Sequence, residues 1–316
     1  MERFAAIDIG TVTSRLLVAD TDGTQVHDVA RAYEVTNLGE GTDATGRLSD
    51  QAICRVMQAL DGFLRLRDEL STPETPVLAT RAVTTSAARD AANVADLLAV
   101  FEERGLALEV ISGQQEAELT FRGVSVALPL GEPIMVVDVG GGSTEVSFGH
   151  GGQAPCVFHS FDIGCRRMTE RFLAADPPLP SELDAAIAWI GEQLRPWAAT
   201  VPADMQGASL FAVAGTATSA ISMQKGLTVY DPAKVHGAKL SREKLKALTM
   251  RLAAMNEGER EHVAGLDPRR APVITAGLLI LLEVMDVFAV REFTASESDI
   301  LQGMISWAAE DQRRSR

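Results

Sequence analysis

The sequence predicts an α/β protein built as two related domains, and three observations carry that expectation. Short apolar strands alternate with segments of helical periodicity along the whole chain. An apolar strand ending in Asp-x-Gly, then a small hydroxyl-rich turn and a return strand, occurs twice: around Asp8 and, 130 residues on, around Asp138. At that offset Gly10 falls on Gly140, Thr13 on Ser143, Ser14 on Thr144 and Leu16 on Val146. A repeat of domain size suggests two domains facing each other, with the cleft between them as the expected ligand site. The third observation is length, since 316 residues exceed what one hydrophobic core usually organises.

Taken in order, residues 4–7 are an apolar run leading into Asp8, Ile9 and Gly10, and residues 16–19 form the return strand of a hairpin whose polar tip is 11–14. Asp22-Gly23 is a second turn signal. Ile53, Val56, Met57, Leu60, Phe63 and Leu64 recur at helical spacing across 49–70, and Pro73 and Pro76 end that stretch. A strand is expected at 77–79, a helix at 87–101 and a strand at 106–111. Ser112 with Gln115 three residues on fits a capping box that starts the next helix. The join between domains is expected within 122–132. The second domain opens with a strand at 133–137 running into Asp138, then the loop 140–144 and a return strand at 146–148. Strands at 158–163 and 210–214 come next, the latter running into a loop at 215–218. Helices are expected at 182–197, 241–255 and 271–285, a strand at 290–295, and a last helix at 300–310.

Composition narrows the function. Hydrophobic residues make up 46% and charged residues 23%, ordinary for a globular chain. The 43 acidic and 29 basic residues leave a formal charge of −14, which opposes non-specific binding to nucleic acid or to an anionic membrane. It does not oppose an anionic small substrate, because a few arginines and backbone N–H groups can hold phosphates locally. Cys54, Cys156 and Cys165 form no C-x-x-C pair and read as reduced thiols of a cytoplasmic protein. No apolar leader opens the chain, and the longest apolar run, 273–282, is too short to span a bilayer. The five histidines show no metal-binding spacing, and no G-x-S-x-G elbow, P-loop lysine motif or GxGxxG fingerprint is present.

The loop Gly140, Gly141, Gly142, Ser143, Thr144 is the most informative feature. Glycines lack Cβ, so successive N–H groups can approach phosphate oxygens, and the two hydroxyls add donors. The sister loop Gly10, Thr11, Thr13, Ser14 repeats the arrangement, with Arg15 beside it. Asp8 and Asp138 end the strands before these loops. Each carboxylate can hold a hydrated divalent cation, with Glu145 as a further ligand near Asp138, or can cap its own turn. Glu116 stands in the first turn of the helix after Ser112, where the positive helix end favours an ionised carboxylate. By itself it reads as a solvated helix-start residue.

DIGTVTSRLLV, TTSAARDAAN, VISGQQEAELTFRG, VVDVGGGSTEVS, DIGCRRMTERF, VAGTATSAIS, and RRAPVITAGLLIL followed by SESDILQGM occur in that order, and the set resembles the exopolyphosphatase/guanosine pentaphosphate phosphatase family. The resemblance spans nearly the whole chain and matches the short members of the family. It implies two ribonuclease-H-like domains of the actin/Hsp70/sugar-kinase fold, at 1–124 and 125–298, with the C-terminal helix at 299–316 packed on the first. It implies that Glu116 is the base that orients the attacking water. It further implies that Arg89 and Arg270 contact phosphate, that Gly215 and Thr216 lie where nucleotide-binding relatives hold adenosine, and that Asp138 and Glu145 are associated with Mg2+, or Mn2+ in its place. Two departures stand out. Val12 occupies the place of the family's Asn in the first loop, and Gln114 and Gln115 precede the base where acidic residues are common.

The expected activity is Mg2+-dependent release of orthophosphate from the ends of inorganic polyphosphate, by a cytoplasmic homodimer that binds neither nucleic acid nor membrane. Arg166-Arg167 and Arg269-Arg270 are candidates for a local basic path. Competing expectations are a guanosine pentaphosphate (pppGpp) 5′-phosphohydrolase, a kinase-like phosphotransferase on the same fold, and a non-catalytic alarmone-binding regulator.

Overall fold

A computed structural model describes residues 1–126 and 128–314. Residue 127, inside the expected inter-domain join, and residues 315–316 of the expected last helix lie outside the described residues. The chain divides into two compact units, Met1–Pro129 with Asp299–Arg316, and Leu130–Ser298.

In the first unit, β1 (Glu2–Ile9), β2 (Thr13–Thr21), β3 (Val26–Val35), β4 (Val77–Thr84) and β5 (Leu108–Val110) form a sheet ordered β3-β2-β1-β4-β5. The first three strands are antiparallel, and β4 and β5 run parallel to β1. The apolar runs are continuous because the sheet is covered on both faces. Alternate side chains of a strand point to opposite faces. Ala5, Ile7, Ile9, Leu16 and Val18 therefore pack with Val56, Leu60, Leu97 and Phe101 from helices Asp50–Glu69 and Val94–Glu102. Phe4, Ala6, Leu17 and Ala19 pack with Ile300, Leu301, Met304 and Ile305 of helix Ile300–Arg314. That helix also lies against helix Gly113–Ser125 with backbones close together. A Cβ on Gly123 would strike the Asp299 carbonyl, and one on Gly303 would strike the backbone of Leu119. Arg122 pairs with Glu310, and the Arg81 guanidinium lies 3.7 Å over the Trp307 ring.

In the second unit, β6 (Pro133–Val139), β7 (Thr144–His150), β8 (Pro155–Phe161), β9 (Ser209–Val213), β10 (Lys239–Ser241) and β11 (Glu292–Ala295) are ordered β10-β11-β9-β6-β7-β8. The run β8-β7-β6-β9-β11 repeats the order and strand directions of the first sheet. The repeat reaches the register itself. Asp8 is opposite Arg15 and Ile9 opposite Ser14; Asp138 is opposite Glu145 and Val139 opposite Thr144. The Gly10 N–H donates to the Thr13 carbonyl and the Gly140 N–H to the Ser143 carbonyl, each at 3.0 Å. Helix Ile274–Val287 is buried over most of its circumference and packs with helices Cys165–Phe172, Pro180–Ala198 and Arg242–Ala253. No helix among the described residues is long and apolar enough to cross a membrane.

Several elements differ from the sequence reading. β3 has no counterpart there, because an edge strand carries polar residues on much of its length. The helix expected at 87–101 is two, Ser86–Asp90 and Val94–Glu102. Between them the Asn93 side chain accepts from the Leu48 N–H and donates to the Leu48 carbonyl, which fastens the chain to another segment. Helix Cys165–Phe172 also escapes the periodicity. The expected loop at 215–218 is instead the opening of helix Ala214–Lys225, entered through Ala214 at φ 60°.

Candidate active site

The first unit assembles Glu116, Arg89, Asp8 and Arg15. Ser112 caps helix Gly113–Ser125 by accepting from the Gln115 N–H, while Gln115 accepts from the Ser112 N–H. Glu116 comes directly after, but it is not solvated. The residue is 8% exposed, and its Oε2 accepts from Arg89 Nη1 at 2.9 Å. The same nitrogen donates to the Ile111 carbonyl, so the end of β5 and the helix Ser86–Asp90 together orient the guanidinium. Burial pushes the Glu116 carboxyl up to about 7. Arg89 and the Thr85 hydroxyl oppose that shift, and the nearby Asp8 charge adds to it. The helix end favours ionisation, as the sequence suggested, but loss of water outweighs it.

Asp8 lies across the hairpin from Arg15, which donates to its Oδ2 through Nη2 at 2.6 Å and Nε at 3.1 Å. The other side of the guanidinium pairs with Asp299. Asp8 thus already faces a cation, the Arg15 guanidinium. Burial still raises its carboxyl above the ordinary range, against the Arg15 charge. Sequence reasoning missed Asp299 and Thr85 as site residues. Their signals were adjacency, Asp299 before the last helix in SESD and Thr85 within TTSAARD.

The hairpin tip beside them is tied from behind. The Thr11 carbonyl accepts from Gly39, and the Val12 carbonyl accepts from Thr36 and Asn37. Val12 is buried, so an apolar side chain suits its place. Thr13 is half-buried, with its carbonyl on Gly10. The Ser14 hydroxyl meets the Thr36 hydroxyl at 2.8 Å in the interior.

The sister loop of the second unit is held the same way. The Gly140 and Gly141 carbonyls accept from the Cys165 and Arg166 N–H groups, each at 2.9 Å, and the Gly142 carbonyl accepts from Arg167 Nε at 2.9 Å. With the carbonyls turned to helix Cys165–Phe172, the N–H groups of Gly141, Gly142 and Ser143 donate to no other group among the described residues. Gly140, Gly141 and Gly142 are not in the left-handed region, so what they contribute is the missing Cβ rather than a special φ. Gly164 is a further requirement, because a Cβ there would strike the Gly141 carbonyl. The Thr144 hydroxyl donates to the Ile163 carbonyl inside the sheet, and Ser143 is buried.

Where Asp8 faces Arg15, the repeat in the second unit sets Asp138 opposite Glu145. Both carboxylates are buried, and Ser160 on β8 donates to Glu145 Oε1 at 2.7 Å. Like charges directly opposite on paired strands repel, and a hard divalent cation offsets that repulsion. No group of three or more His, Cys, Asp or Glu residues suited to a metal occurs among the described residues. A pair of carboxylates is nonetheless the donor set that suits Mg2+, which keeps water and substrate phosphates in its remaining positions. The residues fit such an ion.

Gly215 and Thr216 stand in the first turn of helix Ala214–Lys225. The Arg270 guanidinium lies over Gly215, where a Cβ would collide with it, and the Thr216 hydroxyl donates to the Val139 carbonyl at 3.3 Å. Of the arginines expected to form a basic path, Arg269 is exposed and Arg270 half-buried. Arg166 is buried beside Glu170, Arg167 holds Gly142, and Arg269 pairs with Asp267 at 2.9 Å.

Comparison with known proteins places the chain in a family. A family model described as the Ppx/GppA phosphatase family matches residues 17–310. The chain is 37% identical over 320 residues to the exopolyphosphatase 2 of Mycobacterium tuberculosis, covering 96% of this chain and 98% of that protein. Among solved structures, an exopolyphosphatase-like protein superposes with a TM-score of 0.90 at 32% identity, over 99% of each chain. The Aquifex aeolicus member of the Ppx/GppA family superposes at 0.80 with 29% identity, over 98% of each.

Proposed function

The chain belongs to the Ppx/GppA phosphatase family, and on that premise we propose that it is an exopolyphosphatase, releasing orthophosphate from the ends of inorganic polyphosphate. The observation that carries the reading is the buried Glu116 carboxylate on Arg89, a base held near neutral in the first turn of a capped helix. In the reaction a water oxygen bonds to the terminal phosphorus while the bridging P–O bond breaks, and the shortened chain leaves with the bond's electron pair. Glu116 aligns that water and takes its proton. A loose transition state asks chiefly for such positioning and for charge stabilisation. In the first unit Arg89, Arg15 and the hairpin of Gly10, Thr11 and Thr13 offer positive charge and polar groups to phosphate. In the second, the N–H groups of Gly141, Gly142 and Ser143 and the Arg270 guanidinium do so. Asp138 and Glu145 would hold a magnesium ion, which supplies charge neutralisation to the phosphate oxygens when bound.

A homodimer in the cytoplasm belongs to the same reading, and light scattering on the purified protein tests the dimer. The decisive experiment measures phosphate release from long-chain polyphosphate, tripolyphosphate and pppGpp side by side with Mg2+. Turnover of the long chain supports the proposal. Turnover of pppGpp alone would replace it with the nucleotide phosphatase.

A further inference from the structure

Asp299 connects the last helix to the reactive end of the first unit. It is 4% exposed, and both carboxylate oxygens are engaged. Oδ1 accepts from the Leu301 N–H at 3.0 Å and Oδ2 pairs with Arg15. Its N–H donates to Gln302 Oε1 at 2.9 Å. Its carbonyl accepts from Gly303 and lies against Gly123, on the helix whose first turn carries Glu116. Arg15 is therefore gripped between a strand-end carboxylate, Asp8, and a helix-cap carboxylate, Asp299. A helix cap needs only an acceptor oxygen, and Asn, Ser or Thr serve as well as Asp. The second oxygen, turned onto a guanidinium beside the hairpin of Gly10 and Thr13, exceeds what capping requires.

We propose that Asp299 is a positioning residue for phosphate binding, acting through Arg15: by clamping the guanidinium against Asp8 it fixes the direction in which Arg15 presents charge beside the first hairpin. This rests on the proposed phosphohydrolase function. Asp299→Asn separates the two roles, because Asn still caps the helix but carries no charge for Arg15. The variant should fold, since Arg15 keeps Asp8 and the cluster passes from two carboxylates on one guanidinium to one on one. The expected result is a KM for long-chain polyphosphate raised about tenfold, with kcat within threefold. In an Arg15→Met background, itself raised in KM, the same substitution should change KM less than twofold. Gln302→Ala weakens the cap without touching Arg15, and should lower the unfolding temperature while leaving KM unchanged.

An unaltered KM in folded Asp299→Asn would overturn the proposal, as would a tenfold effect that persists without Arg15. A readout independent of turnover is hydrogen exchange by NMR at Arg15 Nη1, the nitrogen that pairs with Asp299, which should be at least tenfold faster in Asp299→Asn. Unchanged exchange sinks the clamp. A wild-type protein that releases no phosphate from polyphosphate sinks the functional reading instead, and the exchange rates still decide whether Asp299 holds Arg15.

Discussion

Glu116→Gln keeps the size of the side chain and removes its charge and its ability to take a proton. Two magnitudes follow, one from general acid–base catalysis and one from the structure. If the carboxylate is the base, kcat should fall by about 10²–10⁴, the usual contribution of a positioned acid–base group. The second magnitude is thermodynamic. A carboxyl held near 7 instead of its ordinary 4.5 costs ~3 kcal/mol more to ionise in the folded protein than in the unfolded chain. Below about pH 4.5 both states are protonated and there is no penalty. Between 4.5 and 7 the unfolded chain loses the proton first, so this group's contribution to stability declines as pH rises, and above 7 the penalty is constant. Gln does not titrate, so the stability of Glu116→Gln relative to wild type should rise by ~3 kcal/mol from pH 4.5 to pH 8. Urea unfolding of both proteins across that range, with kcat on long-chain polyphosphate, checks both numbers. A stability difference that stays flat with pH would refute the claim that burial governs this carboxyl. A kcat within threefold of wild type would move the base elsewhere.

The same carboxyl predicts that kcat/KM of the wild type climbs through about pH 7 to a plateau, since the ionised form is the active one; a profile flat from pH 5.5 to 8.5 would contradict it. Gly141→Val should abolish turnover and polyphosphate binding while circular dichroism stays native, because the added methyls stand where phosphate oxygens meet the N–H groups. Near-wild-type activity in the folded variant would remove the loop from the site. Asp138→Asn should raise the Mg2+ concentration needed for half-maximal activity at least tenfold, and full wild-type activity in excess EDTA would dispose of the metal proposal. Gly164→Ala, which sets a methyl against the Gly141 carbonyl, should cost about 1–3 kcal/mol in unfolding and weaken substrate binding; an unchanged KM would show that the loop does not depend on this contact.

Much of the site is local and was legible in the sequence for that reason. The repeat at 130 residues, the capping box at Ser112 and Gln115, and the paired Asp-x-Gly turns are short-range patterns, and the hairpin register follows from them. The α/β class and the order of most strands and helices follow from periodicity, which each segment carries within itself. What periodicity cannot carry is the neighbour brought from far along the chain. Glu116 reads as a solvated helix-start residue until Arg89, Thr85 and Asp8 enclose it and water is lost. Asp8 and Asp138 occupy equivalent places in sequence, yet one faces Arg15 and the other faces Glu145, so the first is a buried ion pair and the second sets two buried carboxylates opposite each other. Asp299 reaches Arg15 across 284 positions of sequence, and only the packing of the last helix on the first sheet brings them together. Sequence alone determined most of the elements, the duplication and the candidate residue types. Tertiary structure decided their burial and partners, because desolvation and ion pairing depend on what surrounds a group rather than on what adjoins it in the chain.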